Sequence, residues 1–186
     1  MILKESLKNF TAPNYGKTLR SPATYQTVAD YCAKNLIRLV NEYHEVKNDQ
    51  QLLREIRNDI DYYLRRYHKY CIHERDNMLA HYHEVGADEN CDFEHLIPAK
   101  IIRDLILANK ITVQQGLNAP TVKLSRAKHE MLKDAGWSKL TPDMWLPFQR
   151  YNNVFSADFV TYDGIKIDAN TWTLEQHFHY FQHLVI

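Results

Sequence analysis

The chain has 186 residues, 45% of them hydrophobic and 25% charged, and its 23 basic and 23 acidic side chains give a formal net charge of zero. That length buries a core without staples, and the balanced charge excludes both a global basic field that draws a protein to nucleic acid and a solvating acidic tail. Five glycines and six prolines exclude a low-complexity or collagen-like chain, and no run approaches the ~20 apolar residues of a membrane span.

Residues 1–20 read as irregular, and the opening Met1 to Phe10 lacks the apolar run of a signal peptide. Ser21-Pro22 signals a helix start, and Val28, Cys32, Leu36, Leu39 and Tyr43 follow at helical spacing to about Lys47. Asn48-Asp49 opens a second helix. Its stripe of Leu53, Ile56, Ile60, Leu64, Tyr67, Cys71, Met78 and Tyr82 predicts helix as far as Gly86. Two long helices with a short connection should pair antiparallel.

After Gly86 the texture changes. Cys91 to Pro98 reads as a short strand ended by proline, Lys100 to Lys110 as a helix, and Pro120 to Ser125 as a second strand. Ser125 is placed to cap a helix from Arg126 to Ala135, stopped by Gly136. Pro142 to Tyr151 predicts another short helix. Asp163-Gly164 between two alternating runs predicts a hairpin, and a last helix runs from Thr173. The expected fold is α+β, with a helical N-terminal region over residues 1–86 and a mixed region over 87–186 carrying the added C-terminal hairpin and helix. Cys32, Cys71 and Cys91 are odd in number and form no CxxC pair, which points to a reducing, cytoplasmic setting.

Charge is unevenly spread. Residues 101–150 carry eight basic and four acidic side chains, and Lys123, Arg126, Lys128 and Lys133 surround a single acidic residue, Glu130. A patch of this size can hold a phosphate backbone on a neutral protein; it equally serves as a solvated helix face. Arg150, among Trp145, Phe148 and Tyr151, is placed to reach phosphate.

The segment from Asp92 to Leu132 orders its polar residues in a telling way. Glu94-His95 is followed by Leu96-Ile97-Pro98, Asn118 lies 23 residues after His95, and His129 lies 11 residues after Asn118 on the predicted basic helix. This run resembles the ββα-metal, or HNH, nuclease family, over about forty of the 186 residues. The resemblance implies a ββα-metal core beneath the helical half and a metal-dependent endonuclease cutting DNA, of the restriction, homing or phage-encoded kind. By resemblance His95 is the general base, and Glu94 and His129 are metal ligands. Asn118 either completes the metal shell or ties the loop so that His95 points correctly. Lys128 or Ser125 is the alternative occupant of the helix position. Lys123, Arg126, Lys128 and Lys133 grip phosphates. Mg²⁺ is the expected ion, with Mn²⁺ as the substitute. Phosphodiester hydrolysis suits such a set, because a neutral imidazole is a base near neutral pH and a hard cation can offset charge on the phosphate and the leaving oxygen. Adjacent residues on a flat strand face opposite sides, so Glu94 and His95 share a site only if the strand bends.

Other constellations are thinner. Arg66 and His73 loosely resemble the Arg–His motif of helical HEPN ribonucleases, and His179 and His183 stand four apart on the last helix. A second reading from another class is a catalytically silent module that binds nucleic acid or protein as an inhibitor or adaptor through the Tyr-rich helical half. DNA is the expected partner, with RNA as the alternative substrate. No membrane partner is expected, and a homodimer is left open.

Overall fold

The computed structural model describes residues 23–71, 80–87 and 90–181. Ser21-Pro22, His73, Met78 and His183 lie outside the described residues. The chain opens with two long helices, α1 (Ala23–Glu45) and α2 (Gln50–Cys71). Asn48 turns the connection with φ 66°, and Asp49 Oδ1 accepts the Leu52 amide at 2.9 Å, which satisfies one orphan donor at the helix start. The helices form a hairpin because their stripes interlock. Ala29, Cys32, Leu36 and Leu39 of α1 are buried, as are Ile56, Ile60, Leu64 and Tyr67 of α2. Tyr31 and Leu52, beside those stripes, stay exposed.

The second helix does not reach Gly86. Its described span runs to Cys71, and Tyr82–Glu84 forms strand β1. Tyr82 continues the helical spacing by coincidence. Its ring is fully buried against Phe148, Trp172 and Phe181, and its backbone pairs with Val122 on one side and Thr161 on the other. A central strand position suits an aromatic flanked by paired neighbours.

The remaining strands are β2 (Cys91–His95), β3 (Thr121–Ser125), β4 (Phe159–Thr161) and β5 (Lys166–Ile167), in the sheet order β2-β3-β1-β4-β5. The fold is α+β. Between β2 and β3 lie α3 (Ala99–Leu107) and the five-residue α4 (Val113–Leu117), which the apolar pattern of the sequence does not predict. A capping box between Thr112 and Gln115 starts α4. β2 and β3 are antiparallel, Asp92 opposite Leu124 and His95 opposite Thr121. Helix α5 (Arg126–Asp134) follows β3 directly, and Gly136, at φ 78°, ends that segment. Ser125 stands at its N-cap position, but its side chain makes no capping bond.

Of the expected 142–151 helix only the last three residues are α-helical, in the short α6 (Gln149–Asn152). Pro142 and Pro147 each lack the amide a continuous helix needs there. The Asp163-Gly164 hairpin forms between β4 and β5, with Gly164 at φ 88°. Helix α7 (Leu174–Tyr180) begins at a Thr173–Gln176 capping box. β1 precedes residue 86 yet lies between β3 and β4, so the N-terminal and C-terminal regions share one sheet. No helix among the described residues is long and apolar enough to cross a membrane.

Candidate active site

Among the described residues strand β2 ends the sheet, paired with β3. Alternation sends Asp92 and Glu94 to one face and Phe93 and His95 to the other. Asp92, Glu94, His95 and His129 line one surface depression, together with Lys133 of α5 and Arg65 and Lys69 of α2. Glu94 and His95 therefore share a cleft although alternation points them to opposite faces of β2.

Helix α5 leaves β3 opposite the start of β2, which brings His129 over the Asp92–Glu94 face. Nδ1 of His129 is 2.8 Å from Oδ2 of Asp92, and Nε2 is 3.5 Å from Oε2 of Glu94. An ionised carboxylate only accepts, so the Asp92 contact places a proton on Nδ1. The two remaining acceptors, Nε2 and Oε2, then face each other. A proton or a cation between them removes the repulsion. Sequence reasoning misses Asp92 because it shares no face with His95. The usable signal is its i, i+2 relation to Glu94, which puts it on the face that meets α5.

Glu94 has a second partner. Arg150, fully buried, pairs with Glu94 Oε1 and also donates to the His95 carbonyl at 2.6 Å, the Trp137 carbonyl at 3.2 Å and the Tyr151 hydroxyl at 3.1 Å. Burial alone would lower its pKa, but Tyr151 and Glu94 outweigh that and raise it, so the guanidinium stays charged. Arg150 is thus an internal anchor and does not reach a phosphate.

His95 is part-buried, and its pKa is held well below the usual imidazole value, by burial first and then by His68, Arg65 and Arg150. Its Nε2 lies 2.8 Å from Nδ1 of the buried His68 on α2. Nε2 of His68 in turn meets the carbonyls of Gly116 and Leu117, each at 3.1 Å. Burial pushes the His68 pKa down to about 4.

Asn118 does not line the cleft. It is fully buried, its Oδ1 is 3.0 Å from His81 Nε2, and its carbonyl is 2.8 Å from His177 Nε2. It holds the loop whose preceding carbonyls bind His68. The basic residues separate as well. Lys133 lines the cleft and Arg126 is exposed, with Nε 3.8 Å from Asp92. Lys128 turns away to pair with Glu84 at 2.7 Å and to lie over the Phe155 ring. Lys123 sits part-buried on β3, opposite Phe93. Arg65 and Lys69, one turn apart on α2, lie outside the segment from Asp92 to Leu132, and only the packing of α2 beside β2 brings them to the cleft.

Among the described residues no group of three His, Cys, Asp or Glu side chains is disposed around one metal position. Glu94 and His129 supply an oxygen and a nitrogen donor on facing elements, 3.5 Å apart, and are the residues that would hold a divalent cation. No protein-family model, curated protein or solved structure matches this chain.

Proposed function

We propose that the chain is a metal-dependent endonuclease of the HNH type that hydrolyses DNA phosphodiester bonds. The observation that carries this reading is the meeting of Glu94, His95 and His129 at one cleft, with Asp92 holding His129 from behind. A β2–β3–α5 unit supports it, since these elements supply all four residues.

In this mechanism His95, neutral at physiological pH, takes a proton from the attacking water. Base catalysis of this kind contributes about 10²–10⁴-fold. Glu94 and His129 would hold a divalent cation, Mg²⁺ or in its place Mn²⁺, which offsets charge on the phosphate and on the departing 3′ oxygen. Asp92 keeps the His129 ring in the tautomer whose Nε2 is free to ligate. Arg65, Lys69 and Lys133 hold the phosphates that flank the scissile bond. These contacts position a strand without reading its sequence. Arg150 fixes both the Glu94 carboxylate and the backbone of His95, so base and ligand keep their spacing.

A second reading is favoured by one observation. Tyr31, Ile37, Leu52 and Tyr62 on the helical hairpin are 45–52% exposed, which suits a protein partner or a second copy of the chain. A silent adaptor or inhibitor would bind through that face and cut nothing.

The test is nicking of supercoiled plasmid with Mg²⁺, by the parent protein and by His95→Ala. We expect nicking by the parent, its loss on chelation, and at least a hundredfold loss in the variant with duplex binding retained. A parent protein that binds but never nicks would favour the adaptor. Nicking that persists in excess chelator would contradict the metal.

A further inference from the structure

We infer that His68 is the positioning residue of the cleft: tied by its Nε2–H to the Gly116 and Leu117 carbonyls, it accepts the Nε2–H of His95 and leaves Nδ1 of His95 as the basic nitrogen. This rests on the reading of His95 as a general base and names the atom that does the work.

The chain of protons follows from what each group can do. Carbonyl oxygens only accept, so the His68 nitrogen 3.1 Å from two of them carries hydrogen. His68 is fully buried, and an imidazolium there would lack the solvent that stabilises its charge. A neutral imidazole has one N–H, so His68 Nδ1 is bare. That bare nitrogen lies 2.8 Å from His95 Nε2, which must therefore donate. A base-competent His95, with its single proton on Nε2, presents its lone pair at Nδ1. The two rings lie 4.8 Å apart between centroids, and Phe93 meets the His95 ring edge-on at 5.5 Å, so rotation of that ring is opposed from two sides.

His68 reaches the site from α2, outside the strand–strand–helix unit that carries the other groups. The helical hairpin is thereby tied into the chemistry. The hydrogen bonds of the His68 ring go to His95 and to the Gly116 and Leu117 carbonyls. It acts only through His95.

The experiment is a long-range ¹H–¹⁵N histidine spectrum of the uniformly ¹⁵N-labelled full chain, combined with plasmid-nicking rates for His68→Asn and His68→Phe. Asn places an oxygen acceptor near the Nδ1 position; Phe fills the space with no acceptor. We expect the parent spectrum to show His95 protonated at Nε2 and bare at Nδ1. His68→Asn should preserve that tautomer and cleave within about threefold of the parent. His68→Phe should give a mixed His95 tautomer and lose at least tenfold in kcat with little change in KM, a share of the 10²–10⁴ that a positioned base contributes. A parent His95 protonated at Nδ1, or a His68→Phe variant that cleaves like the parent, would overturn the inference. Should the chain not cleave DNA at all, the parent tautomer alone still decides whether His68 sets the protonated nitrogen, and the nuclease reading fails separately.

Discussion

Asp92 and His129 are joined at 2.8 Å between a carboxylate oxygen and Nδ1, across 37 residues of sequence. The bond decides which imidazole nitrogen is available to the cleft. A carboxylate behind a ligating histidine fixes ring orientation and raises its basicity, and loss of such a partner typically costs 10–100-fold in metal affinity.

Asp92→Ala should therefore weaken Mn²⁺ binding by about 10–100-fold, measured by calorimetry or by the free-ion electron resonance signal. Nicking at low metal should fall and recover at high metal, since both proposed ligands remain. An unchanged Mn²⁺ affinity would remove His129 from the metal site.

Glu94 serves two partners, and conservative and drastic changes separate them. Glu94→Ala leaves the buried Arg150 cation without its counter-ion, with three other acceptors remaining. Stability should fall by about 3 kcal/mol, the lower end for breaking a buried pair. Glu94→Gln keeps an amide oxygen for Arg150 and should lose less, while still weakening the metal. Urea unfolding of both variants checks this.

Acid should unfold the protein in a defined window. Burial lowers the pKa of His68 to about 4 and of His177 to about 3, and it also pushes His81 well below its usual value. The unfolded chain binds these protons near pH 6.5, so it is favoured as pH falls below that value. Stability is whole above pH 6.5 and is lost progressively down to pH 3–4. Each group contributes a slope of up to about 1.4 kcal/mol per pH unit inside its window. Urea midpoints between pH 7.5 and 4.5 should drop, and His177→Gln should flatten that drop.

The cleft also changes which side chains the proposed function would set against phosphate. Lys69 and Lys133 line it, whereas Lys128 is engaged by Glu84. Lys69→Ala with Lys133→Ala should reduce the salt-dependence slope of duplex binding by about 0.9 for each phosphate that is no longer neutralised. Lys128→Ala should leave the slope alone and lower stability, because Glu84 is buried. Salt titrations on two unrelated duplexes, without metal, distinguish these outcomes.

Much of the architecture is written locally. Ile56, Ile60 and Leu64 recur at helical spacing, Gly136 and Gly164 sit where the backbone turns left-handed, and Asp49 stands at a helix start. Such signals act over a few residues, and a sequence displays them directly. Glu94, His95 and His129 are legible for a similar reason, since two short strands and a helix bring them together in chain order. Tyr82 misleads because its spacing agrees with a helix that has already ended, and periodicity alone cannot say which elements lie on either side of a residue. The partners of the site belong to the tertiary structure. His68 is 27 residues from His95, Asp92 is 37 from His129, and Arg150 is 56 from Glu94. Nothing local marks those pairs, because an imidazole's protonated nitrogen or a carboxylate's counter-ion is set by whatever group packing places beside it.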